Sequence, residues 1–307
     1  MTIDEVSAHD YRNIFPGKTV YDTVDFNLLN RQKCNRLHFL VFSDSKARLG
    51  LILGEQDSSL RSPFSAPFGG FTALRHQPAT TYIEAVKELR TQFAASKSII
   101  VTLPPSFYDE DNVAKTSFAM ETIGAECRSI LNYHFNLSQA TDVNHMLSPD
   151  QKRNLRIALA SGFTFSRLSP RDTVNVDRVY NVISRNRSEK GYYLAMTRED
   201  VVNTLKTVPS DLFIVEQDGA DAAAALVYRV SDTVAQVIYW GDISALSRRH
   251  PMSILTTGII DYYKNAGLAF LDAGPAGDFD ELNTGLSAYK ERIGGIATVK
   301  RQYIIKP

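Results

Sequence analysis

Residues able to do chemistry gather near the C-terminus. Asp272 ends the apolar run LAFLDAG, and Asn283, Tyr289 and Lys290 follow in NTGLSAYKERIGG. That second stretch reads as a short helix, with Asn283 placed to cap it and Gly294-Gly295 to close it. A carboxylate at a strand end can act as a base, directly or through water, or simply cap a turn. Tyr289 is either a functional phenol or a ring packed on its helix. Lys290 is either a charge for an oxygen-rich substrate or a solvated lysine.

Other groups extend the pattern. Asp242 ends IYWGD, just after Tyr239 and Trp240. Strand alternation sends one of those aromatics toward a cleft and the other toward the core. Arg248, Arg249 and His250 precede Pro251, where they would meet an anion such as a nucleotide phosphate or a tRNA acceptor end. Arg185, Arg187, Lys190 and Tyr192-Tyr193 form a basic and aromatic cluster. It would receive a phosphate-bearing donor or the acceptor, or else be a solvated helix end. The six histidines are scattered and make no metal-ligand spacing. Cys34 and Cys127 read as structural or incidental thiols. There is no Gly-x-Ser-x-Gly, phosphate loop or dinucleotide fingerprint. No metal and no tightly bound cofactor is expected.

The scaffold must position these groups. A chain of 307 residues points to two domains. Lys+Arg and Asp+Glu both number 34, which argues against a strongly basic nucleic-acid surface and against DNA. No apolar run approaches the ~20 residues of a membrane span, and the N-terminus has no apolar signal core; a cytoplasmic protein is the expectation. The first half reads as a helical and irregular lead (residues 4–35), a hairpin (36–57), an irregular or edge strand (60–71), helix, strand, helix, strand. In its first helix Thr80 or Thr81 would cap, and Ile83, Val86, Leu89, Phe93 and Ala94 would face inward. The second half opens with a helix capped by Ser148 before Pro149. A strand and two helices follow, the first with Val176, Val179, Tyr180 and Ile183 inward. The same order then recurs: hairpin, strand, helix, strand, helix, strand. This predicts an α/β protein with mixed sheets, domains at 1–144 and 145–307, and a linker near 137–149.

That order of elements resembles the GNAT N-acyltransferase fold, twice over. Asn283, Gly285, Tyr289, Lys290 and Gly294 form Asn-x-Gly-x-x-x-Tyr-Lys-x-x-x-Gly, similar to the fourth-helix motif of GNAT enzymes. With LDAG before it, and with QKRNLRIALASGF entering the second half, the chain is similar to Fem-type aminoacyl transferases, which carry two tandem GNAT domains. The resemblance implies transfer of an acyl or aminoacyl group, from acyl-coenzyme A or aminoacyl-tRNA, to a small-molecule or peptide-like amine. It implies that Tyr289 protonates the leaving group and Lys290 orients a carbonyl or phosphate. It also implies that Tyr239, Asp242 and Asp272 converge on a cleft between splayed strands, with the first domain supplying part of the acceptor surface. One departure matters. SALSRRHPMSIL stands where GNAT acetyltransferases carry a glycine-rich pyrophosphate loop, and FGGFTALRHQPATT in the first half also lacks that signature. The alternative is therefore a catalytically silent GNAT-fold protein that binds a peptide or glycan in its interdomain cleft.

Overall fold

A computed structural model describes residues 1–139 and 142–306. Ala140 and Thr141, within the expected linker, lie outside the described residues. Alternating and continuous apolar runs set the strands, and capped amphipathic segments set the helices. The chain begins with β1 (Thr2–Glu5), α1 (Ala8–Ile14) and α2 (Val24–Leu29). Then come β2 (Arg36–Ser43), β3 (Ala47–Gln56), β4 (Ser59–Ser62), β5 (Thr72–Ala73), α3 (Ala79–Gln92), β6 (Ser98–Thr102), α4 (Glu110–Thr122) and β7 (Glu126–Asn136). The second half holds α5 (Val143–Met146), α6 (Pro149–Ala160), β8 (Thr164–Leu168), α7 (Thr173–Lys190) and α8 (Arg198–Thr207). It continues with β9 (Ser210–Gln217), β10 (Ala220–Arg229), β11 (Val234–Asp242), α9 (Pro251–Asn265) and β12 (Phe270–Pro275). The small ribbon β13 (Gly277–Asp278) and β14 (Glu281–Leu282), then α10 (Thr284–Arg292) and β15 (Ile296–Ile305), complete it.

Two compact units divide the chain, and they do not follow one cut. Unit 1 is Met1–Leu131 with Gly277–Leu282 and Thr298–Pro307; unit 2 is Asn132–Ala276 with Asn283–Ala297. The expected boundary at 144/145 therefore differs from the observed division in two ways. The later half of β7 belongs to unit 2, where it pairs antiparallel with β12. Most of β15, the last strand of the chain, belongs to unit 1, where it pairs antiparallel with β6. Each unit is closed by the strand that chain order alone assigns to the other.

In unit 1 the strands run β1-β2-β3-β4-β6-β15, with β5 beside β3. Of the segment expected to be irregular or an edge strand, the start is β4, a short interior strand between β3 and β6, and residues 63–71 are irregular. β1 was not anticipated, because a four-residue polar strand carries almost no periodic signal. Helix α3 starts at Ala79 after Pro78, without a side-chain cap, and buries Tyr82, Ala85, Val86 and Leu89. Val86 and Leu89 face inward as expected, Ile83 and Phe93 are half-buried against the same core and Ala94 is exposed, while Tyr82, its ring beside Phe71, and Ala85 join the face.

In unit 2 the strands run β7-β12-β11-β10-β9-β8. The middle of β10, Ala222 to Ala225, is buried at every residue. A run of alanines hidden on both faces lets α7 and α9, which both pack on β10, approach the sheet closely. Helix α7 buries Val176, Val179, Val182, Ile183 and Asn186; Tyr180 is only half-buried. A polar knot locks the far end of the sheet. Asp211, 1% exposed, accepts from Arg167 Nε (2.7 Å), Arg229 Nε (2.9 Å) and Tyr263 Oη (2.8 Å).

Candidate functional site

Unit 2 contains a fork. β11 and β12 run parallel, but their pairing covers only Val234 to Gln236 against Phe270 to Asp272. Beyond that point β11 continues to Asp242 without β12 beside it. The cause is local. In the ladder with β10, Leu226 faces Tyr239 and Val227 faces Val237, so Ile238 is an extra residue on β11. Such a bulge bends the strand and raises its twist. Backbone groups on the open edge are then available to a ligand.

The fork opens on a cavity of about 510 Å3. Trp240, Gly241 and Asp242 line it from β11, Asn186, Arg187 and Lys190 from the end of α7, and Asn283, Leu286 and Tyr289 from α10 and its cap. Tyr192, Ser247, Met252 and Gly285 complete the wall. Gly191, at φ 68°, ends α7 in the left-handed conformation that only glycine adopts cheaply, and so turns Tyr192 to the cavity. Gly241 is required by close approach, since a Cβ there would lie 2.4 Å from the Asn186 side chain.

Tyr289 lines the cavity from α10. Its hydroxyl lies 3.0 Å from Thr256 Oγ1 and its ring meets Trp240 edge-on. Burial pushes the phenol up to about 12; the bond with Thr256 works against that shift and the charge of Asp242 adds to it. The hydroxyl therefore keeps its proton at neutral pH. Asn283 caps α10 as its position predicted, accepting from the Leu286 N–H at 2.9 Å.

Asp242 is 6% exposed and well held. Ser247 Oγ donates to Oδ2 (2.6 Å), Asn186 Nδ2 donates to its carbonyl (2.6 Å), and Lys190 Nζ stands 3.6 Å from Oδ1. Trp240, two residues earlier, shares its face. Tyr239 points away from the cavity, where the N–H groups of Met196 and Ala195 donate to its hydroxyl, although burial still raises that phenol. Of this aromatic pair Trp240 lines the cavity, and Tyr239 is half-buried beneath Arg187.

Two expected catalytic residues have other work. Asp272 is fully buried and does not line the cavity. It accepts from Asn132 Nδ2 (2.7 Å), Gln236 Nε2 (2.7 Å) and the Gly274 N–H (2.8 Å), tying β7, β12 and β11 together at the point where the fork begins. Lys290 is 2% exposed. Its ammonium donates to the carbonyls of Ala273 (2.7 Å), Gly274 (2.8 Å) and Pro275 (2.8 Å). Three N–H bonds meet three acceptors, so the lysine braces the end of β12 rather than reaching a substrate.

The basic segment before α9 also turns away. Residues Ser244–Arg249 form a 3-10 helix. Arg248 is exposed, Arg249 donates to the Ser161 carbonyl (2.9 Å) and stacks on Phe163, and His250 takes φ 58° to start α9. None of the three lines the cavity. Asn186, Ser247, Met252 and Leu286 were not foreseen. A buried Asn on a helix face and a Ser after a strand carry no signal until the tertiary contacts are known. No group of acidic, histidine or cysteine side chains among the described residues could hold a metal ion. No helix among them is long and apolar enough to cross a membrane.

The corresponding fork in unit 1 is filled. β4 and β6 pair in parallel from Ser59 to Ser62, and the chain then folds back over the opening. Gly69 N–H donates to the Thr102 carbonyl (2.8 Å) and Gly70 N–H to Ser62 Oγ (3.0 Å). Phe68, 2% exposed, packs against Tyr21 and Tyr108 with ring centres 5.0 and 4.6 Å away.

No protein-family model and no curated protein matches the chain. Solved structures do. FemX superposes with a TM-score of 0.68 at 10% identity, over 100% of this chain and 98% of its own. The C-terminal domain of a putative lysylphosphatidylglycerol synthetase from Agrobacterium fabrum gives 0.62 at 13%, over 97% and 92%. A tandem GNAT protein from the clavulanic acid biosynthesis pathway, determined without AcCoA, gives 0.53 at 11%, over 99% and 98%. At such identities the likeness is one of fold: the chain is a mixed α/β protein with the tandem GNAT-like, Fem-like architecture.

Proposed function

We propose that unit 2 is an aminoacyl-transfer site, which moves an aminoacyl group from an ester donor to an amine. The observation that carries this reading is the forked β11–β12 pair opening on a cavity into which a protonated phenol, Tyr289, is built. The neighbours in fold support it. One is FemX, and another is named for the synthesis of a lysyl lipid.

Coenzyme A is the other donor that the fold suggests, and the turn before α9 does not suit its pyrophosphate. An anion site there needs backbone N–H groups without partners. Here Ser244 N–H donates to Glu189 Oε2 (2.9 Å), Leu246 N–H to the Ile243 carbonyl (2.9 Å) and His250 N–H to the Ser247 carbonyl (3.0 Å). Pro251 has no N–H. The Glu189 carboxyl is held down at about 2, first by that Ser244 bond and then by Arg185. A fixed negative charge thus stands where a pyrophosphate would have to lie. This favours aminoacyl-tRNA over acyl-coenzyme A as donor.

In this reading the acceptor nitrogen attacks the ester carbonyl carbon, and the new C–N bond replaces the C–O bond. Main-chain N–H groups on the open edge of β11 hold the carbonyl oxygen as charge develops on it. The leaving oxygen takes the Tyr289 proton, and the surplus proton of the amine passes to Asp242. Solvent returns it to the phenolate. The test uses the full chain with tRNA carrying radiolabelled amino acids, and separately with labelled acetyl-coenzyme A, against a panel of primary amines. Transfer from tRNA is expected, and Tyr289→Phe should lower kcat by about a hundredfold or more. Unchanged kcat in that variant, or transfer from the coenzyme alone, would sink the mechanism. Ligand binding without any transfer would turn the assignment to the silent binding protein.

A further inference from the structure

One cation in the cavity of unit 2, Arg187, has no ion-pair partner among the described residues. Arg187 stands on the last turn of α7, and its guanidinium carbon lies over the rings of Tyr239 (5.6 Å) and Tyr192 (5.8 Å). Aromatic faces attract a cation, but they do not satisfy its in-plane N–H groups. The Arg187 Nε is buried and has no hydrogen-bond partner among the described residues. Leaving such a donor dry and unpaired is costly. The only carboxylate in the cavity wall, Asp242, is taken up by Ser247, Asn186 and Lys190.

We infer that Arg187 is the oxyanion anchor of this cavity, and that the acceptor amine carries a carboxylate or a phosphate monoester which the guanidinium binds. A planar fork of N–H donors with no internal acid beside it matches the paired oxygens of either group. Asp242 lies in the same wall with Lys190 3.6 Å from its Oδ1, so it leaves the Arg187 charge uncompensated. The cavity therefore favours an amine that also carries a carboxylate or a phosphate over one that carries neither. The assignment of this ligand as acceptor rests on the transfer reading; the anion site itself does not.

The cavity carries its own reporter, because Trp240 is the single tryptophan of the chain and lines the wall. The native protein is titrated with inorganic phosphate, β-alanine, phosphoethanolamine and ethylamine while Trp240 fluorescence is followed, with no donor present. A saturable response to phosphate, and tighter binding of β-alanine or phosphoethanolamine than of ethylamine, is expected. The better of those two identifies a carboxylate or a phosphate as the natural group. Arg187→Gln should weaken binding by about tenfold or more, with Arg187→Lys keeping part of it. Arg248→Gln, at an exposed position outside the cavity, should change nothing. If Arg187→Gln fails to fold, the loss in Arg187→Lys carries the test. Equal binding of ethylamine, unchanged affinity in both Arg187 variants, or loss in Arg248→Gln instead would overturn the inference. Binding that depends on Arg187 without any transfer activity would sink the transferase reading and leave the anion site standing.

Discussion

The two forks start from the same plan and end in opposite states. In unit 1 the parallel pair β4–β6 is followed by Pro63, and Phe68-Gly69-Gly70 folds into the opening. Gly69 is essential to that, because a Cβ would sit 2.7 Å from Ser62 Oγ and 2.9 Å from the Pro63 nitrogen. Backbone bonds and a buried aromatic take the space a substrate would use. In unit 2 the strand keeps going past its bulge, and no local segment returns to fill the gap. Asp272 and Lys290 secure the walls instead, from below and from the β12 side. An open fork needs such bracing, since the strand ends it separates would otherwise carry unsatisfied carbonyls. One plan therefore gives a packed core where the chain folds back, and a cavity where polar braces hold the strands apart.

The bracing predicts the largest effect. Lys290→Met orphans three carbonyls and should cost about 3–5 kcal/mol, at roughly 1–2 kcal/mol for each buried acceptor left unpaired. Chemical denaturation measures it. A catalytic lysine on the surface would instead leave stability near the native value and abolish transfer. Emptying the filled fork comes next: Phe68→Ala should cost about 3–4 kcal/mol through lost burial and the cavity left behind. It should leave transfer at 20 °C unchanged, and a loss of activity in a still-folded Phe68→Ala protein would break the assignment of chemistry to unit 2 alone. The smallest effect concerns the wall. Gly241→Ala forces Asn186 aside and should cost about 1–3 kcal/mol. It should also raise KM, because Asn186 both positions Asp242 and lines the cavity.

Acid should act on unit 2 through Asp211. Burial raises that carboxyl, but its bonds from Arg229, Tyr263 and Arg167 win and hold it below the usual value. A lowered carboxylate stabilises the fold above its unfolded pKa, and that contribution fades as pH falls through the folded one.

Much of this was legible in the chain itself. Asn283, Gly285 and Tyr289 could be placed on a short capped helix, since a cap and a glycine turn are local chemistry. Ser148 caps α6 for the same reason. The cluster around Arg187 and Lys190 stood out by composition. What could not be read was which of those charges had partners. Lys290 and Asp272 looked like reagents, and their burial made them braces; Arg248 and Arg249 looked like the anion site, and the turn of the 3-10 helix directed them elsewhere.

The sequence by itself determined the order of elements, their caps, and hence the repeated α/β plan, because each depends on residues a few positions apart. The tertiary structure decided three other things: that β7 and β15 each close a unit other than the one chain order suggests, that the fork of unit 1 is filled and that of unit 2 open, and that Arg187 lacks a carboxylate partner among the described residues. These depend on what packs against what across more than a hundred residues. A strand's periodicity specifies its faces but not its neighbour, and a side chain's charge specifies what it can bind but not what already binds it.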